Sequence, residues 1–283
     1  MGGGGKCSLV AFGTRGYNPG MRWSGRRKTV YAENSSMTRS SIVTGILTVL
    51  AFSTATMAGD GIKGTVKFKE GDKVYKFRDG SSKLVSHPFC AAKWTGKAFR
   101  KQSVVHNENG TLRYIFVHIK SGLPDKKWDV PKEPVVLDQI GCQYEPHVFG
   151  VMAGQTIEIR NSDGTAHNIH AVPKANTGFN KSQPHANMKM NRSFKNPEME
   201  IKVKCDVHPW MQCWIHVLKH PFHDTTGKDG SFEIKTDGLP DGGYELEALS
   251  EYFKPQTAKI KIEGGKVISG EITFTFGRGD KKS

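Results

Sequence analysis

One short run of the sequence combines three side chains that bind soft metal ions. It reads Cys205-Asp-Val-His208-Pro-Trp-Met211 and places a thiol, an imidazole and a thioether within seven residues. Sulfur and imidazole ligands favour copper over magnesium or calcium, which take oxygen ligands. Zinc is the main competitor, because cysteine and histidine also suit a tetrahedral zinc site, but methionine is a poor zinc ligand. The run therefore predicts a metal site that favours copper.

A trigonal copper site of this kind needs one more histidine, with the methionine as a weak axial ligand. His167 meets this need, in a loop that follows a predicted strand at residues 156–160. One remote histidine, followed by cysteine, histidine and methionine, is the ligand order of blue copper sites. His170 is an odd number of residues from His167 and is expected on the opposite face of an extended strand. His147 precedes the strand and is expected toward its other end.

The elements that must position these residues are predicted to be strands. Alternating apolar and polar residues, separated by glycine-rich turns, indicate strands near residues 62–69, 112–119, 148–151, 156–160, 200–203, 231–235, 244–248, 258–262 and 268–276. The polar stretch 176–196 is expected to be a long loop. Many short strands with almost no helix predict an all-β protein made of two β-sandwiches, with a boundary near residue 220.

Residues 145–218 resemble the copper-binding half of a plastocyanin- or azurin-type cupredoxin, and the ligand loop is similar to that of amicyanin. The resemblance rests on the strand, glycine turn and strand from Pro146 to Asn161, on the pair His167-Asn168, and on the Cys-x-x-His-Pro-aromatic-Met loop. It implies a Greek-key β-sandwich over residues 59–219. It also implies that the copper ligands are His167, Cys205, His208 and Met211. By the same resemblance, Asn168 would hold the cysteine loop and tune the sulfur.

The remaining cysteines and histidines have more ordinary interpretations. With Cys205 reserved for metal, Cys90 and Cys142 are the natural disulfide pair, and a bond from either to Cys213 is the alternative. Cys213 is otherwise expected to be a buried core thiol. A second histidine group, His216, His220 and His223, could bind another metal ion, but its place at a strand exit and in a proline-containing linker favours solvent-exposed histidines.

Residues 220–283 resemble a carboxypeptidase regulatory-type β-sandwich. The resemblance is carried by Thr226-Gly-Lys-Asp-Gly-Ser-Phe-Glu-Ile and by Gly238-Leu-Pro-Asp-Gly-Gly-Tyr-Glu-Leu-Glu-Ala. It implies an accessory or docking module without chemistry of its own. At this size the module is expected to pack on the copper domain.

The N-terminal residues predict export. Residues 1–36 are rich in glycine and arginine and are expected to be a disordered or wrongly assigned extension, with Met37 as the true initiator. Residues 37–58 have the basic head, apolar segment and small-residue end of a secretory signal peptide, and the apolar segment is too short for a stable membrane anchor. A periplasmic or otherwise exported location follows, which permits disulfides.

Charge narrows the class of partner. The full chain has a net charge of +14, and removal of residues 1–58, with seven basic residues and one acidic residue, leaves +8. A moderately basic exported protein favours an acidic protein partner over nucleic acid.

These observations predict an exported electron carrier with one type 1 copper ion, and not an enzyme. His208 is expected to be the electron port near the surface, beside an apolar patch at Pro209 and Trp210. Two alternatives remain open: a copper carrier or storage protein without redox cycling, and a cell-surface carbohydrate- or protein-binding module that works through residues 220–283.

Overall fold

A computed structural model describes residues 61–75 and 80–283. The predictions for the extension at 1–36 and the signal peptide at 37–58 lie outside these residues. The described chain is all-β, as predicted, with one short α-helix, α1 (Pro88–Lys93), and two 3-10 turns (Ser81–Leu84 and Arg278–Asp280). Its strands are β1 (Ile62–Phe68), β2 (Val105–His106), β3 (Leu112–Arg113), β4 (Phe116–Ser121), β5 (Val135–Ile140), β6 (Gln143–Glu145), β7 (Val148–Met152), β8 (Ile157–Asn161), β9 (His167–Val172), β10 (Phe179–Gln183), β11 (Met188–Arg192), β12 (Glu198–Lys204), β13 (Gln212–Leu218), β14 (His223–Thr225), β15 (Ser231–Ile234), β16 (Gly242–Leu249), β17 (Gln256–Glu263), β18 (Lys266–Val267) and β19 (Ile272–Phe276).

Two sheets from the middle of the chain form what we call the site sandwich. One sheet has the strand order β10-β9-β12-β13-β7 and the other has the order β11-β8-β5-β6. Inward-facing residues of both sheets build one apolar core, which includes Leu137, Tyr144, Ile159, Ile169 and Val203. Buried residues alternate with half-buried ones in β8 and with exposed ones in the second half of β12, as in strands with one face on a core. In the first sheet, β9 lies beside β12, and β12 lies beside β13.

Two other sheets form what we call the accessory sandwich. Their strand orders are β15-β1-β19 and β14-β4-β16-β17-β18. β1 pairs with β15 and β19, and β4 pairs with β14 and β16. The predicted boundary at residue 220 therefore separates strands that are hydrogen-bonded to each other. The accessory sandwich takes strands from both ends of the described chain, and the site sandwich is inserted between them.

This arrangement escaped the sequence analysis because strand pairing is not local. β1 has the alternating pattern of a half-buried strand, and that pattern fits either sandwich equally well. A smaller apolar cluster, which includes Phe116, Val148, Leu218 and Leu249, joins strands of the two sandwiches.

Two local predictions were wrong. The expected loop at 176–196 contains β10 and β11, which are edge strands of the two sheets of the site sandwich. Most of their side chains face solvent, so they lack the apolar alternation by which a strand is recognised. The expected strand at 112–119 is broken between β3 and β4, where Tyr114 has a φ of 65°.

Among the described residues, no helix is long and apolar enough to cross a membrane.

Candidate metal centre

Three of the four predicted ligands converge at one end of the site sandwich. His167 is the first residue of β9, while Cys205 and His208 lie in the loop between β12 and β13. The two imidazoles face each other through their Nδ1 atoms, which are 2.9 Å apart, and Cys205 Sγ is 3.9 Å from His208 Nδ1. All three side chains are almost fully buried, with exposed fractions of 0%, 2% and 1% for His167, Cys205 and His208.

Hydrogen bonds within the loop fix its shape. The Cys205 amide donates to the Met211 carbonyl at 3.1 Å, and the Met211 amide donates to the His208 carbonyl at 2.9 Å. The His208 amide points at Cys205 Sγ, 3.4 Å away. Met211 is buried in the same apolar cluster as Cys205. Seven residues thus close a tight loop that carries the thiol, the imidazole and the thioether together.

Asn168 contacts this loop from the neighbouring strand. Its Oδ1 accepts hydrogen bonds from the amides of Asp206 at 2.7 Å and Val207 at 3.3 Å, and it lies 3.2 Å from Cys205 Sγ. Its Nδ2 donates to Asn180 Oδ1 at 2.7 Å. This is a geometry in which one amide side chain orients both the loop and the sulfur.

Asp163 is a further site residue that the sequence analysis missed. This buried carboxylate lies 3.0 Å from His167 Nε2, the nitrogen that faces away from His208. It also accepts hydrogen bonds from the amides of Gly141 at 2.9 Å and Cys142 at 2.7 Å. A carboxylate on the outer nitrogen of a ligand histidine fixes the ring and raises its basicity. The available clue was an acidic residue four positions before His167, in a glycine-containing turn.

The electrostatics of the site favour a thiolate. Burial alone would raise the pKa of Cys205, but hydrogen bonds from His167, His208 and nearby backbone amides outweigh it and lower that pKa to about 6. Burial would likewise lower the pKa of His167, but Asp163 and Cys205 together raise it above its usual value. Burial would raise the pKa of Asp163, while its bonds to His167 and two backbone amides lower it.

The predicted disulfide between Cys90 and Cys142 is confirmed, and Cys205 and Cys213 are free. Cys213 is fully buried, and burial raises the pKa of its thiol well above the usual value. It is the inert core thiol that the sequence predicted. The disulfide sulfurs also lie near His208 and His167, but sulfurs in a disulfide carry no thiolate charge to offer a metal ion.

The expectation that His208 lies near the surface was wrong. Residues 80–101, which we call the cover segment, lie over it and are tied to the sandwich by the disulfide. His208 Nε2 is 3.5 Å from Cys90 Sγ, and its ring packs 4.7 Å from the ring of His87. Trp210 also packs on His208 and donates through Nε1 to the Cys142 carbonyl at 3.1 Å.

His147 and His170 are separate from the three facing donors. His170 is partly exposed, and its Nδ1 lies 2.9 Å from Asp206 Oδ2. His147 is buried elsewhere, with Nδ1 2.9 Å from the Gln212 carbonyl and Nε2 3.4 Å from Glu251 Oε2.

The second histidine group is also more buried than expected. His216 lies on β13 and stacks on Phe116, with ring centroids 4.1 Å apart and planes 5° from parallel. The ring of His223 lies 5.3 Å from that of Phe116 and close to Gly150. Burial lowers the pKa of His216 to about 3 and that of His223 to about 4. Solvent exposure was therefore the wrong expectation for His216, which is 3% exposed, while His220 and His223 are partly buried.

Comparison with known proteins gives similarity in structure alone. No protein-family model matches the sequence, and no curated protein matches it. Among solved structures, the chain is similar to a copper-containing nitrite reductase from Thermus scotoductus, with 20% identity, a TM-score of 0.29, and coverage of 34% of this chain and 27% of that one. It is similar to a purple cupredoxin from Nitrosopumilus maritimus, with 19% identity, a TM-score of 0.26, and coverage of 29% of this chain and 98% of that one. It is also similar to an amicyanin variant, with 21% identity, a TM-score of 0.27, and coverage of 36% of this chain and 97% of that one.

Proposed function

We propose that this protein binds one copper ion as a type 1 site and transfers single electrons. The observation that supports it most is the approach of His167 Nδ1 and His208 Nδ1 to each other beside the Cys205 sulfur. Two neutral imidazoles and a thiolate, with a thioether on the same loop, form a soft donor set that fits copper. A copper ion held there would supply one-electron chemistry by changing between Cu(I) and Cu(II).

The chain's own residues fix the positions of the donor atoms and exclude water from the site. Asp163 holds His167 from behind, Asn168 holds the loop of Cys205, and the cover segment excludes water from His208. A site whose donors are fixed by surrounding hydrogen bonds changes little in geometry between two oxidation states. Such a site suits repeated electron transfer better than release of copper to another protein.

The test is a visible spectrum of the purified protein after addition of one equivalent of Cu(II). We expect an intense blue band from sulfur-to-copper charge transfer. Cys205→Ser should abolish the band, and His167→Ala should abolish or strongly weaken it. His170→Ala is the matched control, because it removes an imidazole from the same strand, on the exposed face, and should keep the band.

Other outcomes separate the alternatives. Stoichiometric zinc binding without a copper band would contradict the proposed function. A copper band with no exchange of electrons with a soluble redox partner would favour a carrier or storage role. The accessory sandwich would instead be the working part if the protein bound a glycan array and bound no copper.

A further inference from the structure

The cover segment changes how electrons must reach the proposed copper site. His208 is 1% exposed, and its outer nitrogen points at Cys90 of the cover segment instead of at solvent. A protein partner therefore cannot touch this ligand. The partly exposed His87, whose ring contacts His208, and the backbone around Cys90 lie between His208 and the outside.

The outer surface of the cover segment is basic. Residues 80–101 contain five basic residues and no acidic residue. Lys83, Lys93, Lys97 and Lys101 are exposed, and none of them forms an ion pair within the described part of the chain. Because uncompensated charges of one sign attract and orient an oppositely charged protein, this surface favours an acidic partner.

Apolar residues lie among these lysines. Val85 is 75% exposed and Pro88 is exposed, while Phe89 is partly exposed and packs against Gly164 in the turn before His167. The Lys93 ammonium lies 5.2 Å from the centre of the Phe89 ring. The segment thus contacts His208 through His87 and Cys90, and it contacts the turn before His167 through Phe89. Its outer side offers apolar area surrounded by positive charge.

We infer that the cover segment is the docking face for an acidic redox protein, and that electrons pass between that protein and His208 through the contacts of His87 and Cys90. This inference rests on the proposed function. It goes further by naming the surface and the chemistry of the partner. No bond forms or breaks in this exchange, since one electron moves between the partner's redox centre and the copper ion.

The first test uses copper-free protein, so that it does not depend on metal binding. Hexacyanochromate(III), an inert paramagnetic anion, is titrated into the ¹⁵N-labelled protein at low ionic strength. We expect the amide signals of residues 83–97 to broaden most. Lys93→Glu combined with Lys97→Glu should remove that broadening. Lys228→Glu combined with Lys266→Glu makes the same change in net charge on the accessory sandwich and should leave it intact.

The second test uses copper-loaded protein in the Cu(I) state and hexacyanoferrate(III) as the oxidant, followed by stopped-flow absorbance. The Lys93 and Lys97 double variant should react about tenfold more slowly than wild type at low salt, and the difference should shrink at high salt. The Lys228 and Lys266 control should react within about twofold of wild type.

The outcomes are distinguishable. Broadening that is centred elsewhere, or equal effects of the two double variants, would overturn the docking face even if the copper band is present. Absence of the copper band in wild type would overturn the proposed function, and with it an electron-transfer role for this face. The copper-free titration would still report whether the segment attracts anions.

Discussion

At the scale of single residues, burial and hydrogen bonding act in opposite directions on the pKa values of the groups in the site. The thiol of Cys205 and the imidazole of His167 would each be neutral if burial acted alone, yet their mutual contact favours the charged forms of both. Asp163 further favours the charged form of His167. A thiolate that is accessible near neutral pH is what metal binding requires.

We therefore predict that Cys205 titrates near pH 6 in the copper-free protein. The rate of alkylation by iodoacetamide should rise as pH increases through about 6, because only the thiolate reacts. Copper affinity should fall below that pH, where protons compete for the sulfur. The measurement is the alkylation rate against pH, followed by mass spectrometry of the modified peptide.

Cys213 is the internal control for that experiment, since burial raises the pKa of its thiol and keeps it neutral across this pH range. Cys213→Ala should leave the profile unchanged, and Cys205→Ser should remove it. A midpoint near 8.5, the value of an ordinary cysteine, would contradict the predicted stabilisation of the thiolate.

The sequence was most informative at this scale. The candidate ligands lie within one short loop and at one strand start, so the local pattern alone could predict that His167, Cys205 and His208 come together. Asp163 could not be predicted in the same way, because its role depends on a turn that brings it back to His167 Nε2 and on the backbone amides of Gly141 and Cys142.

At the scale of elements, the disulfide ties the cover segment to the candidate metal site. Cys90 and Cys142 are separated by 52 residues, and closing a loop of that length stabilises the folded state by about 4 kcal/mol in the chain-entropy account. Cys90→Ser combined with Cys142→Ser should lower the free energy of unfolding by up to this amount, measured by guanidinium titration.

The same double variant should also expose the site. Alkylation of Cys205 in the copper-free protein should become faster, because His208 loses the cover over its outer nitrogen. Unchanged reactivity of Cys205, together with unchanged stability, would show that other contacts hold the segment in place.

A second element-scale prediction concerns acid stability. The pKa of His216 is lowered by burial, to about 3, and by the nearby His118 and His223. A histidine whose folded-state pKa lies below its unfolded value of about 6.5 contributes stability that is present above pH 6.5. That contribution is lost as pH falls toward the folded-state pKa. The free energy of unfolding should therefore decline steeply between pH 6.5 and pH 4.

The variant His216→Phe keeps a ring against Phe116 and removes the titrating group. It should have a flatter dependence of stability on pH than wild type over the same range, as measured by urea titration at several pH values. His185→Phe is the control, because His185 is exposed and its substitution should not alter the slope. Equal slopes for His216→Phe and wild type would mean that other groups cause the acid sensitivity.

At the scale of the whole described chain, the insertion of one sandwich into the other is what local sequence could not reveal. The all-β class, most strands and the disulfide pair followed from composition, alternation and cysteine placement. The partner strands of β1 and β4 did not, since both lie more than 100 residues from the strands they pair with. Register and pairing over such separations depend on the packed core, not on the local pattern.

The last prediction follows from that insertion. A fragment of residues 220–283 alone lacks β1 and β4, which are central strands of the two accessory sheets. Without them, both sheets would be split and Phe232, Leu246 and Phe274 would lose packing partners. We expect this fragment to show no cooperative thermal unfolding by circular dichroism.

A second fragment tests the cause. His118 of β4 pairs with His223 of β14 in an antiparallel register, so the end of β4 at Ser121 lies close in space to the start of β14. A short glycine-rich linker can therefore join them. A fragment that joins residues 61–121 to residues 222–283 by such a linker restores both central strands and should unfold cooperatively. Cooperative unfolding of residues 220–283 alone would show that the predicted boundary near residue 220 defines an independent domain after all. The failure of both fragments would show that the accessory sandwich also needs the cluster of Phe116, Val148 and Leu218, through which the site sandwich packs on it.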